Sequence, residues 1–497
     1  MSSPTDLGYL QGLVTELRKL PAETGWVEFK EYDSGLKGIG EDLAGLSNAA
    51  ALAGQSMAYL VWGLSEPCHQ PTGTTIDPKR FREECVGIEG ALNRHMRPAC
   101  QLRSYQFEYE GRDLLLWIIP CAADKPTEFS RIAYLRVGGD RMSLNDSPEL
   151  AENLASVLAQ TSFENQSAIE YLDTDDVQKL IDLKLCESCL QLNLPDDIEE
   201  SMKILMNEGL IEQRNGFWAI RNHCALLFGR RLSDFPHLNH KAITVAAYHG
   251  VMRYERKVIV KRRFDSGYAS AVNSVLDEVV NVLPHYDQSW NSEGMVTDYP
   301  RLAARELLVN CMIHQDLRHL LVDQDRQHPC QGPTIEIFED RIEFSNVGSP
   351  LVDRERILNC SPKARNTAIV SMMQKMGHAE GTGMGIERVV TMAETLHLRP
   401  PSFLPLYERG TLAILYPHKP IERWNVGERT QACYMHACLK YLKGEEMTNS
   451  SLRERLGVDE TERGTASNAI REALSKGKIK SVNTASKRYA SYLPFWA

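Results

Sequence analysis

The chain has 497 residues, 43% hydrophobic and 25% charged, which predicts a soluble globular protein with room for about three or four domains. No apolar run approaches the ~18 residues that cross a bilayer. The opening Met-Ser-Ser-Pro-Thr-Asp has neither a basic start nor an apolar core, so no secretion signal is read and a cytoplasmic location is expected. The net charge of −10 argues against a protein coated in nucleic acid, though a local basic patch stays open, and twelve cysteines without framework spacing predict reduced thiols.

In chain order, Leu7, Leu10, Leu13, Leu17 and Leu20 predict an amphipathic helix over 4–19, stopped by Pro21. A strand follows, with Val27 and Phe29 on one side and Glu28 and Lys30 on the other. A helix over 39–52, a buried strand over 57–64, a hairpin over 105–120 turning at Gly111 and a strand over 133–139 complete the first segment. Residues 1–160 resemble the Schlafen AlbA-type domain, an α/β nucleic-acid-binding fold. The resemblance is carried by Glu23 with Val27-Glu28-Phe29-Lys30, Ser47-Asn48, Tyr59-Leu60-Val61-Trp62-Gly63, Thr72-Gly73-Thr74 and Tyr134-Leu135-Arg136-Val137-Gly138. Schlafen ribonucleases of that family bind a divalent metal through three acidic residues. The matching positions are Glu23, Glu28 and Glu66, near the basic Lys30, and three carboxylates suit Mg2+ or Mn2+. Metal-dependent RNA cleavage, noncatalytic nucleic-acid binding and a purely structural role for these acids are all open.

Residues 161–235 are expected to form a helical, degenerate winged connector. Two helical stretches precede a hairpin turning at Asn215-Gly216, and a spacing role is favoured over DNA reading. Cys186-Glu-Ser-Cys189 lies in a helix-like run with no second pair, so it is read as structural.

Residues 236–420 contain a strand over 242–248, a helix over 269–283, then Arg305-Glu306-Leu307-Leu308-Val309-Asn310. Helical spacing puts Glu306, Asn310 and His314 on one face. A carboxylate and an amide one turn apart suit magnesium chemistry, the amide oxygen on the ion and the carboxylate orienting a water. A hairpin over 334–347 turns at Glu339-Asp340 and leaves through Asn346-Val347-Gly348, a tight exit at which a base can be read. Then comes Gly381-Thr382-Gly383-Met384-Gly385 before a helix; such glycines let backbone N–H groups approach phosphate, and the helix adds its positive end. These residues resemble the GHKL (Bergerat) ATPase fold of gyrase, MutL and the histidine kinases, in the divergent branch of bacterial proteins labelled helicase-like or transcription-regulator-like. The resemblance implies ATP and Mg2+ as cofactors, Glu306 as general base, Asn310 as the magnesium ligand, and Gly381, Thr382, Gly383 and Gly385 as a lid over the phosphates. Asn346 and Gly348 stand at the adenine subsite, where the wider superfamily has an aspartate. Arg365, after the Ser361-Pro362 turn, is a second phosphate candidate. His314 is read as packing or capping rather than catalytic.

Residues 421–497 read as a winged helix-turn-helix. Three helices are expected over 428–442, 452–456 and 464–476, with Gly457 ending the second, then two wing strands over 478–482 and 488–493. Lys476, Lys478, Lys480, Lys487 and Arg488 cluster there, with Arg471 on the outward face of the third helix, in an otherwise acidic chain; this favours contact with nucleic-acid phosphates over a protein–protein wing that uses lysines for solubility.

The fold class expected is therefore multidomain α/β and α+β: a Schlafen AlbA-type domain, a connector, a GHKL ATPase sandwich and a winged helix. The function expected is ATP-controlled binding of DNA or RNA in defence, stress response or transcription regulation, with a metal-dependent endoribonuclease as the alternative. Resemblance to GHKL proteins implies a homo-oligomer. The extended motif set of a helicase motor is missing, and a helicase is rejected.

Overall fold

The computed structural model describes residues 7–20, 24–31, 35–65, 68–74, 88–98, 102–123, 125–137, 139–160, 162–251, 257–283, 301–318, 332–361, 363–379, 384–406, 410–482 and 490–497. It is a mixed α/β, multidomain chain that divides into two compact units. One comprises residues 1–242, 265–270 and 316–331; the other comprises 243–264, 271–315 and 332–497.

In the first unit a four-stranded sheet has the order Val27–Lys30, Met57–Trp62, Arg112–Pro120, Arg103–Tyr109. The first pair is parallel, Val27 opposite Tyr59, and the others are antiparallel. A parallel pair needs a crossover, and the helix Gly35–Leu52 supplies it. That helix buries Ile39, Leu43, Leu46 and Ala50 in one core with Leu60, Trp62 and Trp117. Asn48 on the same helix is fully buried and acts as a clamp. Its amide donates to the Thr127 and Tyr134 carbonyls at 2.8 and 2.7 Å and accepts from the Thr127 N–H at 2.7 Å.

Beyond it the structure is richer than the expected two helices and hairpin. Thr174–Leu180, Leu183–Leu190 and Ile198–Asn207 are helical, and Ser167–Leu172 adds a third strand to the hairpin Ile211–Arg214, Phe217–Arg221. The hairpin turns at Asn215 and Gly216 with φ of 51° and 87°, the left-handed pair that a two-residue turn requires. Cys186 lies buried in the second of these helices, its thiol pushed far up by burial.

The second unit is built on a six-stranded mixed sheet in the order Lys257–Phe264, Ile243–His249, Thr334–Phe338, Arg341–Val347, Gly410–Leu415, Ser402–Leu406. Only Ile243–His249 and Thr334–Phe338 run parallel. The expected hairpin forms with Phe338 opposite Arg341, leaving Glu339 and Asp340 as the turn. The helices Arg301–Ile313 and Gly385–Thr395 pack against each other, and the former also packs on Arg341–Val347.

The C-terminal residues of this unit form helices Val426–Leu442, Asn449–Leu456 and Arg463–Ser475 with a small sheet of Met447–Thr448, Ile479–Ser481 and Ser491–Pro494. Thr448 caps the second helix by accepting from the Ser451 N–H, and Gly457 closes it at φ +66°. Val390 and Trp424 share one core with these helices.

Candidate functional site

The helix Arg301–Ile313 buries Leu307, Leu308, Cys311 and Met312, and this fixes which face is left over. The remaining face presents Glu306 and Asn310, one turn apart, to a cavity of about 360 Å³. Apolar walls come from Val309, Ile313, Phe344, Phe403 and Ala413, and polar groups from Asn346, His314 and Thr411. A few convergent polar groups in an apolar hollow of this size form the usual pattern of a small-molecule site.

Gly385, the first residue of its helix, makes the closest approach. A Cβ there would stand 2.9 Å from the Glu306 carboxylate and 3.9 Å from the Asn310 amide nitrogen. Without a Cβ the helix starts close to the carboxylate; a larger residue would have to displace the Glu306 side chain. One turn on, Arg388 donates to Glu306 Oε1 at 3.4 Å, so the carboxylate has a cationic neighbour on the same helix.

Asn346 is buried and its amide donates to the neighbouring Val347 carbonyl at 2.9 Å. Gly348 follows at φ +117°, where its carbonyl accepts from the Thr411 hydroxyl at 2.7 Å. Arg365 donates to the Ser349 carbonyl at 2.8 Å. His314 also lines the cavity; burial, then the Arg365 charge, push its imidazolium down to about 4, so it is neutral at physiological pH. Gly381, Thr382 and Gly383 lie outside the described residues.

Glu306, Asn310, Asn346 and Gly385 are thus brought to one cavity. Sequence reasoning passed over Lys363, which also lines it, although Lys363 stands two residues from Arg365 in the same loop. Asn366, read from the sequence together with Arg365 as able to approach phosphate, is spent on backbone. That side chain is buried and donates to the Ile313 and Gln315 carbonyls at 3.0 and 2.8 Å, at the C-terminal end of the Glu306 helix.

The acidic residues expected near the N-terminus are not brought together within the described residues. Glu23 and Glu66 lie outside them. Glu28 is buried and pairs with Arg136 and, at 3.5 Å, with Lys30. Lys30 in turn pairs with Asp42, and Arg141 bridges Glu41 and Asp42 at 2.6 Å each. Lys37 also stands 3.8 Å from Glu41, so each of these three carboxylates is paired with a cation. Among the described residues no group of three His, Cys, Asp or Glu side chains is placed to hold a metal.

The C-terminal cations are differently committed. Arg471 donates to Asn468 at 3.1 Å, and Lys476 stands 4.0 Å from Glu472. Lys478 pairs with Glu355 at 2.6 Å, and Lys480 donates to the Ala497 carbonyl. Lys487 and Arg488 lie outside the described residues.

Residues 331–411 match the model of a family described as "Putative ATP-dependent DNA helicase recG C-terminal". This region, which includes the 334–347 hairpin and Gly385 and begins after the Glu306 helix, marks an ATPase-like domain in the chain. A solved structure, that of the DIP2311 protein from Corynebacterium diphtheriae, is similar at 15% identity over 98% of each chain with a TM-score of 0.36, a likeness too slight to carry an argument. No curated protein matches this chain. Among the described residues no helix is long and apolar enough to cross a membrane.

Proposed function

We infer that this chain is an ATP-binding protein whose GHKL-type ATPase domain controls nucleic-acid contacts made by a Schlafen AlbA-type N-terminal domain and a C-terminal winged helix. The observation that carries the reading is the meeting of Glu306, Asn310, Asn346 and Gly385 at one cavity, the last two of them inside the ATPase-like region. The residues fit a magnesium nucleotide. Asn310 offers an amide oxygen, Glu306 a carboxylate, and the glycine cradle at Gly385 leaves the space a Cβ would fill.

Asn310 would hold Mg2+, which supplies charge neutralisation to the triphosphate. Glu306 positions a water and takes its proton, as a general base does. Arg388 holds the Glu306 carboxylate in place. The Asn346 amide hydrogen is spent on Val347, which leaves its oxygen to accept from a base amino group. Apolar residues such as Phe344 and Phe403 exclude water around the base. The C-terminal helices and the cations Arg471 and Lys476 support phosphate contact at that end. Metal-dependent RNA cleavage through Glu23, Glu28 and Glu66 has no observation in its favour, because Glu28 is held by Arg136 and Lys30.

The test separates binding from chemistry. Glu306→Gln is expected to bind a fluorescent ATP analogue as the wild type does while phosphate release falls about 10²- to 10⁴-fold. Asn310→Ala is expected to lose magnesium-dependent binding itself. Unaltered binding in Asn310→Ala would remove the nucleotide reading of the cavity.

A further inference from the structure

One short segment, 352–361, belongs to two places at once. Val352, Ile357, Cys360 and Ser361 line the cavity. Between them the chain is fastened to the C-terminal helices and sheet. Glu355 pairs with Lys478 at 2.6 Å, and its carbonyl accepts from the Tyr434 hydroxyl. The Arg356 guanidinium lies over the Trp496 ring at 5.5 Å, and the Trp496 indole donates to the same Tyr434 hydroxyl at 3.0 Å. Lys478 also stands over the Tyr434 ring at 5.8 Å. A single residue, Arg356, separates the ion-paired Glu355 from the cavity-lining Ile357, so the two ends of the segment cannot move independently.

We propose that Glu355 is an internal competitor for nucleic-acid phosphate at Lys478, and that the segment it belongs to couples phosphate binding there to occupancy of the cavity. The inference rests on the nucleotide and nucleic-acid readings above. A carboxylate and a backbone phosphate satisfy a lysine ammonium in the same way, as anionic acceptors of its N–H groups. Glu355 already occupies Lys478, so a phosphate has to compete with it for the same charge. The pair is only partly covered, the two side chains being 26% and 38% exposed, so a polyanion can reach it from solvent. When phosphate takes Lys478, the Glu355 carboxylate is released and the wall formed by Ile357 and Cys360 loses one of its fastenings, the contacts to Tyr434 and Trp496 remaining. When a nucleotide fills the cavity, those residues are packed from the inside and Glu355 stays on Lys478. Each ligand therefore weakens the other, and linkage requires the two effects to be equal in binding free energy.

The test uses the full chain with a fluorescent 20-base-pair DNA duplex at low salt, with and without a non-hydrolysable ATP analogue and Mg2+, and measures binding of a fluorescent ATP analogue without DNA in parallel. Glu355→Gln is expected to bind the duplex about threefold more tightly than wild type, the scale of a partly exposed ion pair. Lys478→Gln is expected to bind it more weakly, and the double variant to match Lys478→Gln. The ATP analogue is expected to weaken duplex binding by the wild type and not by Glu355→Gln. Equal duplex affinity in wild type and Glu355→Gln, with Lys478→Gln still weaker, would overturn the competition and leave the nucleic-acid reading standing. Duplex binding that neither variant alters would place the nucleic acid elsewhere and overturn the inference. Nucleotide binding with no duplex binding at all would remove both the inference and the nucleic-acid reading while sparing the cavity's assignment.

Discussion

Gly385 shows how much one hydrogen in place of a methyl group can decide. Its Cα sits where a Cβ would meet a Glu306 oxygen at 2.9 Å, on the rim of the cavity. Gly385→Ala must push the carboxylate aside or back the helix away. The carboxylate is the far end of a flexible side chain and can give way, so the variant is expected to keep its thermal midpoint but, with Glu306 displaced at the cavity, to bind a fluorescent ATP analogue about tenfold more weakly. A second residue carries a pH dependence. Lys241 is fully buried and its ammonium donates to the Asp316 carbonyl at 3.2 Å. Burial pushes it down to about 7 from its ordinary 10.5, against the opposing pull of the Asp316 charge. The unfolded chain therefore binds a proton between pH 7 and 10.5 that the folded chain does not, and the folded state gains stability as pH rises through that window. Lys241→Met removes the group, so urea midpoints at pH 7.5 and 9.5 are expected to differ less in the variant than in the wild type. An equal rise in both would assign the pH dependence to other groups.

At the scale of elements, the helix Arg301–Ile313 is set by two constraints. Its buried face, Leu307, Leu308, Cys311 and Met312, fixes the rotation that puts Glu306 and Asn310 in the cavity. Its C-terminal end is held by Asn366 from a distant loop, donating to two carbonyls that the helix itself cannot satisfy. Asn366→Ala deletes both donors in a buried place. The expected loss is about 1–3 kcal/mol of stability, read as a lower urea midpoint, with nucleotide affinity falling as the helix end loosens. The rotation was legible in the sequence, since period-3.6 spacing turns Leu308 and Met312 away from Glu306 and Asn310. The clamp was not, because nothing in Arg365-Asn366 says which carbonyls lie above it. The 334–347 hairpin, the Asn215-Gly216 turn and the Thr448 cap with Gly457 were legible for the same local reason: each is closed by residues a few positions apart. The strand Ser167–Leu172 was not, because its partner Phe217–Arg221 lies some fifty residues on and alternation there is blurred by burial.

At the scale of the molecule, the second unit holds residues of both 236–420 and 421–497. Val390 and Trp424 enter the core of the C-terminal helices. Buried Arg455 donates to the Leu398 carbonyl at 2.7 Å and pairs with Glu394 at 3.4 Å, while Glu394 also meets His436 at 3.1 Å. Glu394 lies near the far end of the helix that begins at Gly385, so one rigid element runs from the cavity to the C-terminal helices. The sequence by itself determined the locally closed elements, the amphipathic faces and the placing of Glu306 and Asn310 one turn apart, because those depend on spacing along the chain and on local backbone chemistry. Only the tertiary structure decided the partners. It gave Glu28 to Arg136 and Lys30, and Lys478 to Glu355, because charges in a folded chain are neutralised by whichever opposite charge packing brings near, and that neighbour can lie more than a hundred residues away.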